Sequence, residues 1–327
     1  MSAPRSSPSL SPSPSRQRGL TLVEIMVSLV IGMVVVLVAS ALLVGANGSY
    51  LNHGESMRLQ DGGRYALDIV GQAVRQAGYV NWDGATAPVA FGAELEAGVA
   101  GLDARALSRG AEGLEAPLPG AVNGSDVLAL RYSGSGAGGN GDGSVLNCAG
   151  FGVAAPASPQ GRGWSIFYVA VGTDGEAELR CKYRSANGWG ADAIVRGVDS
   201  FQVLYGIDSD TPADGTPNVY VNATALEALD DALALAGANA AERARDRLRK
   251  TWWKRVRSVK IALLLHGEAG SRPEVPPASY DLFGRDYSDA HGGDSGVRVN
   301  EADLAPALRQ RARQQFSATL FPRNGGG

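Results

Sequence analysis

One apolar run near the start of the chain limits its folding more than any other feature. Residues 20–46 hold a single ionisable side chain, Glu24, and residues 25–46 are 22 uncharged residues in a row. As a helix, that stretch is about 33 Å long, enough to cross a hydrocarbon core of about 30 Å. A buried helix of a soluble domain fits less well, because core helices of this length keep a polar face. A secretory signal also fits less well, since its apolar core is shorter and carries no acid. Ala39-Ser40-Ala41 resembles a small-residue cleavage site and keeps that alternative open.

The flanks orient the run. Residues 1–15 are mostly Ser and Pro, a composition that cannot bury a core. Arg5, Arg16 and Arg18 precede the run without an acid among them. Basic residues stay on the cytoplasmic side, so everything after residue 46 is expected in the periplasm, on a single-pass inner-membrane anchor.

Arg18-Gly19-Leu20-Thr21-Leu22-Val23-Glu24 resembles the class III signal of type IV pilins and their relatives. The resemblance implies a prepilin peptidase that cuts after Gly19 and methylates the new amino terminus at Leu20. Leu20 departs from the pattern, where Phe is usual, but is apolar and close in size. Glu24 becomes the fifth mature residue. The resemblance gives it the assembly register, its carboxylate pairing with the amino terminus of a neighbouring subunit. An acid in a membrane helix is costly and points to function, and a new amine would lower that cost. A simpler role, at the positive end of the helix dipole, is compatible with this.

Later segments resemble the PilW-like minor pilins. Gly197-Val198-Asp199-Ser200-Phe201-Gln202-Val203-Leu204-Tyr205-Gly206-Ile207-Asp208 is similar to one family segment. Residues 252–265 and 308–323 are similar to a following strand and to the C-terminal strand. The implied fold is α+β and type IV pilin-like: a long N-terminal helix, its first half transmembrane, packed on an antiparallel sheet with long loops. The organisation read from this is a leader at 1–19, a transmembrane half-helix at 20–46, an amphipathic half-helix at 47–80 and a globular domain at 81–327.

The residues support that division. Tyr65, Ile69, Val70, Ala73, Val74 and Ala77 recur at helical spacing. Gly62-Gly63 suggests a bend, and Gly78 an end. Strand-like runs lie at 126–132, 164–171, 178–184, 194–207 (one or two strands), 256–266 and 316–322. A short helix is expected at 102–107, and a Gly-rich loop at 133–143. Residues 222–250 are Ala-rich and charged, and read as a helical insertion without a functional account.

Cys148 and Cys181 are the two cysteines of the chain. In an oxidising periplasm they are expected to pair, and closing about 32 residues would stabilise by about 3–4 kcal/mol in the chain-entropy picture. Asp208, Asp210 and Asp214 are candidate calcium ligands, although their spacing departs from an EF-hand loop and acidic surface turns are commoner. Asp281, Asp286, Asp289 and Asp294 form a weaker acidic loop. Otherwise no cofactor is expected.

Enzyme readings find little. No G-x-S-x-G, P-loop or H-E-x-x-H motif is present, and His53, His266 and His291 lie in unrelated contexts. The net charge of −3 argues against a dedicated nucleic-acid binder. The basic stretch 243–257 with Trp252 and Trp253 reads as a solvated helix face, so nucleic acid is not an expected partner. The expected function is therefore a non-catalytic minor pilin that primes or caps a type IV pilus, serving pilus biogenesis, adhesion or twitching motility. Its expected partners are the prepilin peptidase, the major pilin and other minor pilins, a tip adhesin and the inner-membrane assembly platform, and its expected place in the fibre is near the tip. Two alternatives stay open: a minor pseudopilin of a type II secretion system, and a membrane-anchored periplasmic enzyme or binding protein.

Overall fold

Helix α1 runs Leu22–Gln76. The computed structural model describes residues 19–81, 93–272 and 276–324, without the side chains of residues 44–52. Arg5, Arg16 and Arg18 of the leader lie outside the described residues. The chain divides into two units, Met1–Leu51 and Asn52–Gly327.

In the first unit, Leu22–Leu43 has a mean hydropathy of 2.8 and none of it is buried. No proline interrupts residues 20–80, so the backbone ladder can continue unbroken.

In the second unit, α1 buries Leu59, Ala66, Val70, Ala73 and Val74, and Ala77 just past its end is buried with them. This is one stripe at helical period, and full burial of Val70 or Val74 contributes on the order of 1.5–3 kcal/mol each. The stripe differs from expectation at one place. Tyr65 is 56% exposed, and its neighbour Ala66 faces the core instead. Gly62 and Gly63 do not break the helix. A side chain at Gly63 would run into the ring of Phe316, and one at Gly62 would press on Val195. These glycines serve close approach, not bending. Gly78, at φ 71°, ends the helix in left-handed backbone, and its N–H donates to the Arg131 carbonyl (2.8 Å).

The strands are β1 (Val99–Leu102), β2 (Val127–Tyr132), β3 (Gly163–Val171), β4 (Ala177–Ser185), β5 (Gly188–Arg196), β6 (Val198–Ile207), β7 (Val219–Val221), β8 (Val256–His266), β9 (Ser279–Asp281), β10 (Arg298–Asn300) and β11 (Arg313–Leu320). They form not one sheet but a five-stranded sheet (β1-β2-β3-β4-β5), a four-stranded sheet (β11-β8-β6-β7) and a two-stranded ribbon. Every pairing is antiparallel. The chain leaves the first sheet at Arg196 and enters the second at Val198. The hinge between them, Gly197, sits at φ 74°, where a Cβ would collide with the His266 carbonyl.

Alternation along β2 explains the layers. Leu128 and Leu130 join Phe201, Val203, Ile261 and Leu263 in the core beneath α1. Val127 and Ala129 face the other way, with Ile166 and Tyr168. On β8, Ala262 and Leu264 turn from α1 toward Leu282, Val299 and Leu304 of the C-terminal segment. The stretch expected as a helix at 102–107 is instead the end of β1 and a bridge between Ala106 and Leu118.

The insertion at 222–250 is two helices, α2 (Ala223–Asp231) and α3 (Ala240–Lys250). The Asn222 and Asn239 side chains cap them, accepting from Ala225 N–H and Glu242 N–H (2.9 Å each). Asp103, just beyond β1, accepts from Ala223 N–H and Thr224 N–H and so seats α2 on the body.

Replacing Gly63 with Ala is expected to push Phe316 off α1 and cost about 1–3 kcal/mol. Urea unfolding of the purified chain should show a lower midpoint with an unchanged slope.

Candidate functional site

Gly19 and Leu20 precede α1 in exposed, non-helical backbone. Thr21 stands at the N-cap and Glu24 three residues later. The Thr21 hydroxyl accepts from the Glu24 N–H (3.3 Å), and Glu24 Oε2 accepts from the Thr21 N–H (2.9 Å) and hydroxyl (3.0 Å). This reciprocal arrangement is a capping box, which satisfies orphan donors of the first turn. Both Thr21 donors reach the same oxygen. Glu24 Oε1 accepts no hydrogen bond among the described residues, and the side chain is exposed. The helix head therefore presents a fixed carboxylate with one oxygen open, at the edge of an unburied apolar span. A cation from outside the chain could meet it there.

Cys148 and Cys181 form a disulfide, with Cα atoms 5.9 Å apart and a sequence separation of 33. Cys181 lies in β4, and the Cys148 N–H donates to Ser165 Oγ of β3 (3.0 Å). The bridge thus holds the loop ahead of β3 against the middle of the five-stranded sheet.

Asp208, Asp210 and Asp214 come together, with a carboxylate oxygen of each within 4.8 Å of the others. Donors of the same loop already serve them. Asp208 accepts from Gly215 N–H (2.6 Å), Asp214 from Thr216 N–H (2.8 Å), and Asp210 from the Asn218 amide (3.0 Å). In the second acidic loop, Asp281 and Asp289 both pair with Arg298 (2.6 Å each), and Asp294 accepts from the Tyr287 hydroxyl (2.9 Å). Several charges of the 243–257 stretch are also paired. Arg247 pairs with Asp231, Arg249 with Glu94 and Lys250 with Asp246, and Arg255 lies over Trp252.

One cluster escaped the sequence reading. His266, at the end of β8, is buried, and His53 and His291 are exposed. Its Nδ1 lies 2.9 Å from Asp199 Oδ1 and its Nε2 2.9 Å from Glu176 Oε2. Each ring nitrogen thus faces a carboxylate, one from each sheet. Arg313 Nε donates to Asp199 (2.6 Å), Arg311 donates to Glu176 (2.8 Å), and Arg313 and Arg272 both donate to Glu301. Glu176 belongs to the turn before β4, so the cluster ties the five-stranded sheet to the four-stranded one. Pairing along β6 and β8 shifts between Val198 and Ser200, a bulge at Asp199. Bulges re-aim side chains, which a period-two reading of the strand cannot show.

A family model described as type IV pilus-assembly protein W matches residues 166–324, from within β3 to beyond β11. A second, the prokaryotic N-terminal methylation motif, matches residues 14–40. No curated protein matches the chain. Among solved structures, a type IV-like pilin from Thermus thermophilus aligns at 13% identity, covering 83% of this chain and 100% of that one, with a TM-score of 0.37.

The Glu176 carboxyl is held below its ordinary value of 4.5: burial pushes it up, and hydrogen bonds from His266 and Arg311 outweigh that. A depressed folded value means stability that is present above the ordinary carboxylate range and lost as pH falls through the folded value. Glu176→Gln should therefore lower stability at neutral pH and flatten its decline below about pH 4.5, as read by urea midpoints across pH.

Proposed function

From a chain that is PilW-like in its body and carries the prepilin signal at its head, we propose a minor pilin that primes or caps assembly of a type IV pilus. The helix Leu22–Leu43 anchors the chain in a membrane, and the methylation motif implies processing by a prepilin peptidase and assembly with other pilins.

In this reading the peptidase cuts after Gly19, and the freed amine at Leu20 is methylated. Residues 20–46 hold the subunit in the inner membrane, with the leader cytoplasmic and the body periplasmic, and then in the fibre core. There lipid is replaced by the apolar helices of neighbours. Glu24 meets the amine of a neighbouring subunit through its open oxygen and so sets the register. Moving a lone carboxylate into a dry fibre core is costly, and a paired one is far less so. The capping box keeps Glu24 aimed before that partner arrives. The body does no chemistry in this account; its bulk suits a tip or priming position, beside other minor pilins, the major pilin and a tip adhesin, delivered by the assembly platform. The observation that carries the reading is the exposed Gly19-Leu20 bond beside a fixed, half-satisfied Glu24 at the head of an unburied apolar helix.

Complementing a deletion strain with wild type and with Glu24→Gln tests the proposal. Surface pili should fall at least about tenfold in the deletion and in the variant, since about 1.4 kcal/mol in assembly makes that factor. Type II secretion should be unchanged. Normal piliation in the deletion would contradict the reading, and lost secretion with intact pili would assign the chain to the secretion filament instead.

A further inference from the structure

A cleft of about 620 Å³ opens in the second unit, where the α2–α3 insertion meets β1 and the loop carrying Glu112 and Glu115. Val99, Leu114 and Leu248 give it apolar walls. Trp164 and Trp253 also line it, with Arg131 over one face of the Trp164 ring at 4.2 Å.

The charges decide what fits. Arg131 is paired with Glu96, and Arg247 with Asp231. Asp230 accepts from the Thr251 hydroxyl (2.5 Å) and the Trp252 N–H (2.7 Å). Glu112 and Glu115 are exposed, and neither side chain has an ion pair or hydrogen bond among the described residues. Glu112, Glu115 and Asp230 thus have no cation bonded to them, so the excess charge of the lining is negative and stands beside aliphatic walls. A cation on an apolar backbone is complementary to this; an anion is not.

We propose that this cleft docks a segment of a neighbouring filament subunit in which Lys or Arg alternates with apolar residues. The cation enters between Glu112 and Glu115, and the apolar side chains cover Leu114 and Leu248. This assigns a role to the insertion at 222–250, whose helix α3 buries no residue of its own and so is free to serve as a wall. That the partner is a filament subunit rests on the pilin reading; the chemistry of the cleft does not.

Fluorescence anisotropy on the purified full chain in detergent, with labelled peptides of sequence LKLKL and LELEL, tests the cleft. The Lys peptide should bind at least about tenfold tighter than the Glu peptide, and more weakly as salt screens the contact. The E112Q/E115Q double variant should lose about tenfold for the Lys peptide, and Leu248→Arg should abolish binding, with unfolding midpoints kept as a check on folding. Equal binding of the two peptides, no binding by wild type, or no effect of the double variant would overturn the proposal. In cells, a photo-crosslinker at position 248 should capture another pilin, and lose it in the double variant; assembled pili without that crosslink would overturn the choice of partner. Neither failure touches peptidase processing at Gly19, so the pilin reading stands or falls separately.

Discussion

The apolar surface of residues 22–43 finds no cover in its own chain among the described residues, and much of the account depends on that. At about 25 cal/mol per Å², a span this long cannot stay in water. It must lie in lipid or against the apolar surfaces of neighbouring chains. Both environments punish an unpaired charge, so the one acid in the run is the residue to explain. The structure gives Glu24 half of what it needs: Thr21 occupies one oxygen and leaves the other open. A chain built in this way is incomplete alone, which is what a filament subunit should be.

The body is held by a different means. Small residues on the second part of α1, Ala66 and Ala73 with Gly62 and Gly63, let the helix lie close on the sheets. The two sheets share that core and are joined at one end by Glu176, His266 and Asp199, with arginines behind them. A buried cluster of this kind is weak evidence for stability in itself. It does bind the turn before β4 to the strand ends of β6 and β8, where Gly197 changes sheets. The disulfide clamps the loop ahead of β3 at the middle of the same sheet.

Much of this was legible in the sequence, and for identifiable reasons. The long helix, β2, β3, β4, β6 and β8 follow from apolar runs bounded by turn residues. The disulfide follows from compartment and count, and the insertion was read as helical and is two helices. The misreadings share a cause, since each depends on tertiary contact. Periodicity put Tyr65 on the buried face because it weighs side-chain size and not the closeness of approach that favours Ala66. Gly62 and Gly63 read as a bend because a missing side chain looks the same whether it frees the backbone or admits Phe316. One sheet was expected where there are two, because a left-handed Gly197 between two strands has no hydrophobic signature. The cluster around His266 went unseen because its partners lie 67 and 90 positions away. The same limit applies to the cleft, whose walls come from distant segments.

The most direct measurement is the intact mass and N-terminal peptide map of the protein extracted from membranes of cells with and without the prepilin peptidase. The account predicts a mature chain that begins at Leu20 and carries one added methyl group, and only where the peptidase is present. Residues 1–19 still attached in both strains would contradict it, and would leave the apolar span a plain anchor and the open oxygen of Glu24 without a partner.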